Sequence, residues 1–142
     1  MTGIVFEDYI VPKFSYEKNF KFDTESKKIN ISPDFSCEII EMNERAEVRL
    51  VGKIGSLEEV DAPFFVHIEV VGFFEYQEKE SNGIPFENYL TTNAVAILFP
   101  YVRSLISDIT SRSNEFPSLT MPVINVAKFM LEKDHISYKK VD

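Results

Sequence analysis

Hydrophobic and polar positions alternate with period two up to about residue 76, and past residue 85 they recur every three or four residues, so the chain predicts strands and then helices. Ile4 to Tyr16 mixes Ile, Val, Phe and Tyr with polar residues, and Pro12 within it suits an edge strand or a bulge. Lys28 to Glu41 places Phe35, Cys37 and Ile39 on one face and Ser36, Glu38 and Ile40 on the other. Met42 to Arg45 predicts a short turn. From Ala46 to Leu57 the set Val48, Leu50, Gly52 and Ile54 faces away from Glu47, Arg49, Val51 and Lys53, the pattern of a half-buried strand. An acidic loop, Ser56 to Asp61, leads into Ala62 to Tyr76, where Phe64, Val66, Ile68, Val70 and Phe74 alternate with Phe65, His67, Glu69, Val71, Phe73 and Glu75. Connections this short predict an antiparallel meander.

Asn82-Gly83 and Pro85 punctuate the chain, and Phe86 to Arg112 then reads as helix, with Leu90, Ala94, Leu98, Tyr101, Leu105 and Ile109 as its apolar stripe. Pro100 predicts a kink or a fresh start there, because proline removes a backbone bond and crowds the preceding turn. Between Ala94 and Phe99 the helix is apolar all round. One sheet covers only one side, so the other is expected to meet a second copy of the chain. Ser113 to Pro122 reads as a loop, Val126 to Leu131 begins a short helix, and the stretch ISYKKVD from Ile136 to Asp142 is expected to be mobile. The fold class that follows is α+β: a four-stranded antiparallel sheet with a long helix and a short C-terminal helix on one face, in a single domain spanning 1–142.

A length of 142 residues and a mass of 16.4 kDa suit one core. Fifteen Lys and Arg against twenty-three Asp and Glu give a net charge of −8, which repels phosphate backbones and anionic lipid and so moves nucleic-acid binding down the list. A single cysteine, Cys37, forms no internal disulfide or metal finger and suits a reducing compartment. The start of the chain shows no signal pattern, and the longest apolar run, Ala94 to Phe99, falls short of the roughly 20 residues of a membrane span, so a cytoplasmic location without membrane insertion is expected. Thirteen Phe, six Tyr and four Met without any Trp mean that much apolar area has to be satisfied.

Phosphate-cradle, zinc-helix and nucleophile-elbow motifs are absent, so no cofactor, metal or catalytic residue is predicted. His67 and Glu69 share a strand face, yet a metal asks for three ligands, and a surface cross-strand pair is the simpler reading. Apolar strand neighbours make Cys37 an inert buried thiol, and His135 reads as a solvated tail residue. Glu58, Glu59 and Asp61 form a soluble acidic turn or, on a rigid hairpin, a dock for a basic partner. Less ordinary is FPSLTMPVINVAKFM, in which Phe116, Leu119, Met121, Val123, Val126, Phe129 and Met130 make a proline-broken segment apolar. Such a segment folds under or offers an adaptable apolar surface.

ILFPYVRSLISDITSR, Ile97 to Arg112, followed by FPSLTMPVINV, Phe116 to Val126, resembles the SecB export chaperone family. Leu98, Phe99, Pro100, Tyr101, Arg103, Ser111, Arg112, Phe116, Pro117, Leu119, Pro122, Val123 and Asn125 fall in register with that family's LFPYxR core, SR pair and following loop, with Ile124 as one inserted residue. The likeness extends over nearly the whole chain and implies a non-enzymatic, ATP-independent holdase for unfolded or slowly folding polypeptides. It also implies a homotetramer, a dimer of dimers whose long helices, through Leu98, Tyr101 and Leu105, lie between two sheets. The implied client surface is Phe116, Leu119, Met121, Val123, Val126 and Phe129, and the implied counterparts of the SecA-docking surface are Glu17, Glu58 and Glu59. Service to a dedicated partner such as an antitoxin, and a small-ligand or enzyme domain on the same fold, stay open beside export.

Overall fold

The computed structural model describes residues 3–25, 28–115 and 125–141. Five strands, β1 (Ile4–Lys18), β2 (Asp34–Met42), β3 (Arg45–Gly55), β4 (Phe64–Tyr76) and β5 (Ile136–Val141), form one sheet in the order β1-β4-β3-β2-β5. The first four pair antiparallel, as their alternation predicts, and β5 adds in parallel to the free edge of β2. The sheet is therefore mixed and five-stranded, not four-stranded and antiparallel, and the segment expected to be a mobile tail is its outermost strand.

Period two decides which face is buried. Phe35, Cys37 and Ile39, then Val48, Leu50 and Ile54, then Phe64, Val66, Ile68, Val70 and Phe74 all lie in the core beneath the helices. Gly72 continues this row without a side chain because Leu98 occupies its place: a Cβ there would stand 2.7 Å from Leu98 Cδ2. At Pro12 the pairing of β1 with β4 slips between Ile10 and Lys13, the bulge expected of proline on an edge strand. β2 begins at Asp34, later than its sequence pattern suggests, since residues 28–33 have no ladder partner.

The long helix is one run from α1 (Phe86–Tyr89) through a π-helical stretch, Leu90–Ala94, into α2 (Val95–Ser111). The helix continues through Pro100, which lies on its exposed side. Its π-helical irregularity lies upstream, at Leu90–Ala94. Val95, Leu98, Phe99, Val102 and Ile106 face the sheet, while Tyr101, Leu105 and Ile109 form a half-buried flank. By length and composition this 26-residue run is apolar enough to cross a bilayer, but its sheet-facing side is packed in the core. α3 (Val126–Glu132) starts at Asn125, whose side chain accepts the Lys128 amide at 3.1 Å, and it buries Val126, Ala127 and Met130.

Candidate functional site

The connection from β1 to β2 has to cross the ends of β4 and β3, and this crossing builds the site. Residues 19–25 and 28–33 run alongside the β3–β4 loop, bonded to it from Asn19 to Pro63, Asp23 to Val60 and Asn30 to Asp61. Asn19 is the clamp: its buried Nδ2 donates to the carbonyls of Glu59 and Ala62, each at 2.8 Å, and its Oδ1 accepts the Lys21 amide. With the backbone polar groups occupied, the side chains of Phe20, Phe22 and Ile29 stand with Pro63 around an open groove of about 490 Å³. Phe20 is 87% exposed and Ile29 61%, so apolar area here faces outward, covered by none of the described residues. Lys18 lies 5.4 Å from the centre of the Phe20 ring and forms a 2.9 Å ion pair with Glu115 that closes one side of the groove.

A second groove, of about 390 Å³, runs between α2 and α3 and is lined by Ala96, Phe99, Arg103, Val126 and Ala127. Glu115 belongs to the first groove and Asn125 to the second. Phe116, Leu119, Met121 and Val123 lie outside the described residues. Of the other two residues implied for client contact, Val126 is buried and Phe129 is half-buried, its ring edge-on to Phe35 at 6.1 Å and under the Lys133 ammonium at 5.5 Å. Phe20, Phe22 and Ile29 are not among the residues picked out from the sequence. Their signal was present in KNFKFDTESKKIN: large apolar residues in a polar stretch without period, which a loop does not need for its own folding.

Glu17, Glu58 and Glu59 gather at the same end of the sheet. Glu17 lies opposite Phe65 on the face away from the helices, Glu58 is paired with Lys21, and Glu59 gives its carbonyl to Asn19. Along the rest of that face the acids are interleaved with arginines: Arg49 bonds Glu69, and Arg45 lies within 4 Å of both Glu7 and Glu75. His67 Nε2 is 2.8 Å from Glu69 Oε2. Burial acts to raise the Glu69 carboxyl, but the hydrogen bond and charge of Arg49, with His67 adding to them, hold it below the usual carboxylate range. Arg49 and Glu69 thus satisfy one another as a structural pair on a sheet does, whereas His67 Nε2, though close to Glu69, is buried without a well-aligned hydrogen bond.

Of the residues assigned to a subunit interface, Leu98 is wholly buried against its own sheet and presents no surface. Tyr101 is half-buried beside Tyr9 and Phe6, at 4.3 and 6.0 Å between ring centres, and Leu105 is half-buried on the same flank.

His135 is half-buried and tied in, not a free tail residue: its Nδ1 lies 2.9 Å from the Phe35 carbonyl and 3.2 Å from Asp34, and its own carbonyl accepts the Cys37 amide. The Cys37 thiol, buried beneath, is pushed up to about 12, first by burial and then by the charge of Glu38. Reaction with iodoacetamide runs through the thiolate. At pH 8 that form is a fraction of about one in ten thousand, so the folded chain should stay unmodified for hours and label fully once denatured, as mass spectrometry would record. Rapid labelling of the native chain would show that this edge of the sheet opens.

Residues 12–135 match the family model of the preprotein translocase subunit SecB. The chain belongs to the SecB family. An uncharacterised protein of Methanocaldococcus jannaschii is 33% identical over 144 residues, covering 99% of this chain and 90% of that one. Among solved structures, the SecB-like chaperone Rv1957 of Mycobacterium tuberculosis, in complex with a ChAD peptide from the Rv1956 HigA1 antitoxin, superposes with a TM-score of 0.64 at 16% identity, over 85% of this chain and 90% of the other. A Streptococcus agalactiae protein of unknown function superposes with a TM-score of 0.50 at 13% identity, over 84% and 97%. At these identities the structural likenesses speak for the SecB-like α+β fold of one long helix on a five-stranded sheet.

Proposed function

We propose that this SecB-family chain is an ATP-independent holdase that binds unfolded or slowly folding polypeptides in its apolar grooves and catalyses no reaction. One observation carries the reading: Phe20 and Ile29 stand outward beside an open groove, on a crossing segment fixed to the β3–β4 loop by the buried amide of Asn19 and by backbone hydrogen bonds. A ligand-binding enzyme would instead bring polar groups together in a closed pocket, and His67 lines none of the grooves described, while Glu69 beside it is paired with Arg49.

In this reading the molecule works in the cytoplasm as a homotetramer, a dimer of dimers, with Tyr101 and Leu105 covered by a neighbouring copy. Several weak apolar sites on one assembly then hold one client through effective concentration, without any single tight contact. Chains that fold quickly bury their apolar residues first and escape, so selection is kinetic. Clients kept unfolded in this way remain competent for Sec-dependent export, with Glu17, Glu58 and Glu59 as the surface offered to SecA.

A second reading has its own support. Glu58 is paired with Lys21, the sheet face carries Arg45 and Arg49 among its acids, and β5 carries Lys139 and Lys140, so the surface offered to a basic dock is of mixed charge. That favours service to one dedicated partner, such as an antitoxin, whose peptide the mycobacterial chaperone Rv1957 holds.

The test is binding of a reduced, unfolded model protein without nucleotide, with its folded form as the control. Capture of the unfolded form alone is expected. Capture of neither overturns general holding and leaves the dedicated partner as the reading.

A further inference from the structure

β5 is held on the edge of β2 in the way an extended peptide ligand is held by a sheet. It pairs on one side only, in the parallel sense, and four of its six residues are exposed. Its helix-side residues occupy separate seats. Ile136 lies across from Cys37 and Tyr138 across from Ile39, both packing on the core. Lys140 lies across from Glu41, with its Nζ 3.5 Å from Glu41 Oε2. The Tyr138 hydroxyl donates to the other Glu41 oxygen, and burial together with that carboxylate pushes the phenol well above its ordinary range. Glu41 is 7% exposed with β5 in place, so an empty seat would strip the carboxylate of both partners and leave a row of β2 backbone groups unpaired. An edge of this kind asks for a strand, and Glu41 asks for one with a cation at the right step.

We propose that the β2 edge is a strand-addition site for extended client segments with the spacing aliphatic-x-aromatic-x-basic, and that β5 is its resident occupant. This deepens the holdase reading and rests on it. β5 follows directly from α3, through Asp134 in the left-handed conformation at φ 56°, and the other end of α3 lines the α2–α3 groove with Val126 and Ala127. Main-chain bonds supply affinity without regard to sequence, and the seats of Ile136, Tyr138 and Lys140 supply selection. While β5 is docked, apparent affinity falls by the fraction of molecules in which the edge is open.

The test uses the full chain and a fluorescent, end-capped seven-residue peptide copying residues 135–141. Tyr138→Ala, and Ser137→Pro as a second variant, should loosen β5 and bind the peptide at least about tenfold more tightly than the unmodified chain does. A peptide with Glu in place of the lysine that copies Lys140 should bind the same variants about tenfold more weakly than the parent peptide. Hydrogen exchange on the unmodified chain gives a reading independent of any variant: saturating peptide should strip protection from residues 136–141 and leave that of β2 intact. Equal affinity in all chains with residues 136–141 still protected overturns the proposal. So does a variant whose mass doubles, since a second copy would then fill the edge. Unfolded-protein capture, measured in parallel, separates the two readings: capture without a gain in peptide affinity sinks strand addition alone, and a gain without capture sinks general holding alone.

Discussion

Leu98→Ala should lower the unfolding free energy by about 3 kcal/mol and leave the mass of the native assembly unchanged. The residue is wholly buried over Gly72, a position where even a methyl group would collide with it, so shortening the side chain opens a hole that the rigid sheet beneath cannot close. On a domain of this size the loss should appear as a fall in Tm of roughly 10 °C. Tyr101→Asp should do the converse. It forfeits the ring contacts with Tyr9 and Phe6, costing about 1 kcal/mol, but places an unpaired carboxylate on the half-buried flank that a neighbouring copy is proposed to cover. Light scattering should then show the tetramer reduced to dimer or monomer while circular dichroism stays native. A Leu98→Ala chain that dissociates without losing stability would put Leu98 at a subunit contact after all. A Tyr101→Asp chain of unchanged mass would move the interface off this flank.

That contrast marks where sequence pattern stops being informative. In β3 and β4 each residue's environment follows from its neighbours two places away, because one face of an antiparallel sheet is wholly apolar, and Val48, Leu50, Val66 and Ile68 were therefore legible. In the long helix a stripe drawn at three- and four-residue spacing runs correctly through Leu90, Ala94 and Leu98 and then drifts onto Tyr101 and Leu105. The buried line instead turns by four-residue steps, from Leu98 to Val102 and Ile106. Local propensity carries no mark of that rotation.

β5 was illegible for a different reason. ISYKKV is short, rich in lysine and preceded by a turn, and its partner strand lies about 100 residues upstream, where His135 meets the Phe35 carbonyl. A parallel edge strand is decided by what lies vacant beside it, here the open side of β2 and the buried carboxylate of Glu41. The same holds for the crossing segment. Nothing periodic distinguishes Asn19, yet its amide satisfies the carbonyls of Glu59 and Ala62 and thereby sets where Phe20 stands. The family motif, by contrast, was legible residue by residue, and residues 12–135 bear it out.

Replacing Phe20 and Ile29 together by serine should cost an unfolded client roughly tenfold to a hundredfold in affinity and cost the fold almost nothing. Phe20 is 87% exposed and Ile29 61%, so the folded chain gains little from either, and a change in stability within about 0.5 kcal/mol is expected. The same exposure is what a client would cover. A phenylalanine side chain carries on the order of 150 Å² or more, and at about 25 cal/mol per Å² its burial yields roughly 4 kcal/mol gross. Ordering of the client and of the groove side chains consumes most of that, leaving about 1 to 2 kcal/mol net, the usual size of an aromatic anchor. Fluorescence anisotropy with a reduced, unfolded protein would read the loss, and calorimetry on the double variant would check that its melting is unchanged. Undiminished affinity would mean that clients enter by the α2–α3 groove, past Phe129 and Val126, and that the crossing segment displays its aromatics to some other partner. Phe129→Ser would then take over the effect, accompanied by a loss of stability that Phe20→Ser does not share, because Phe129 also packs on Phe35.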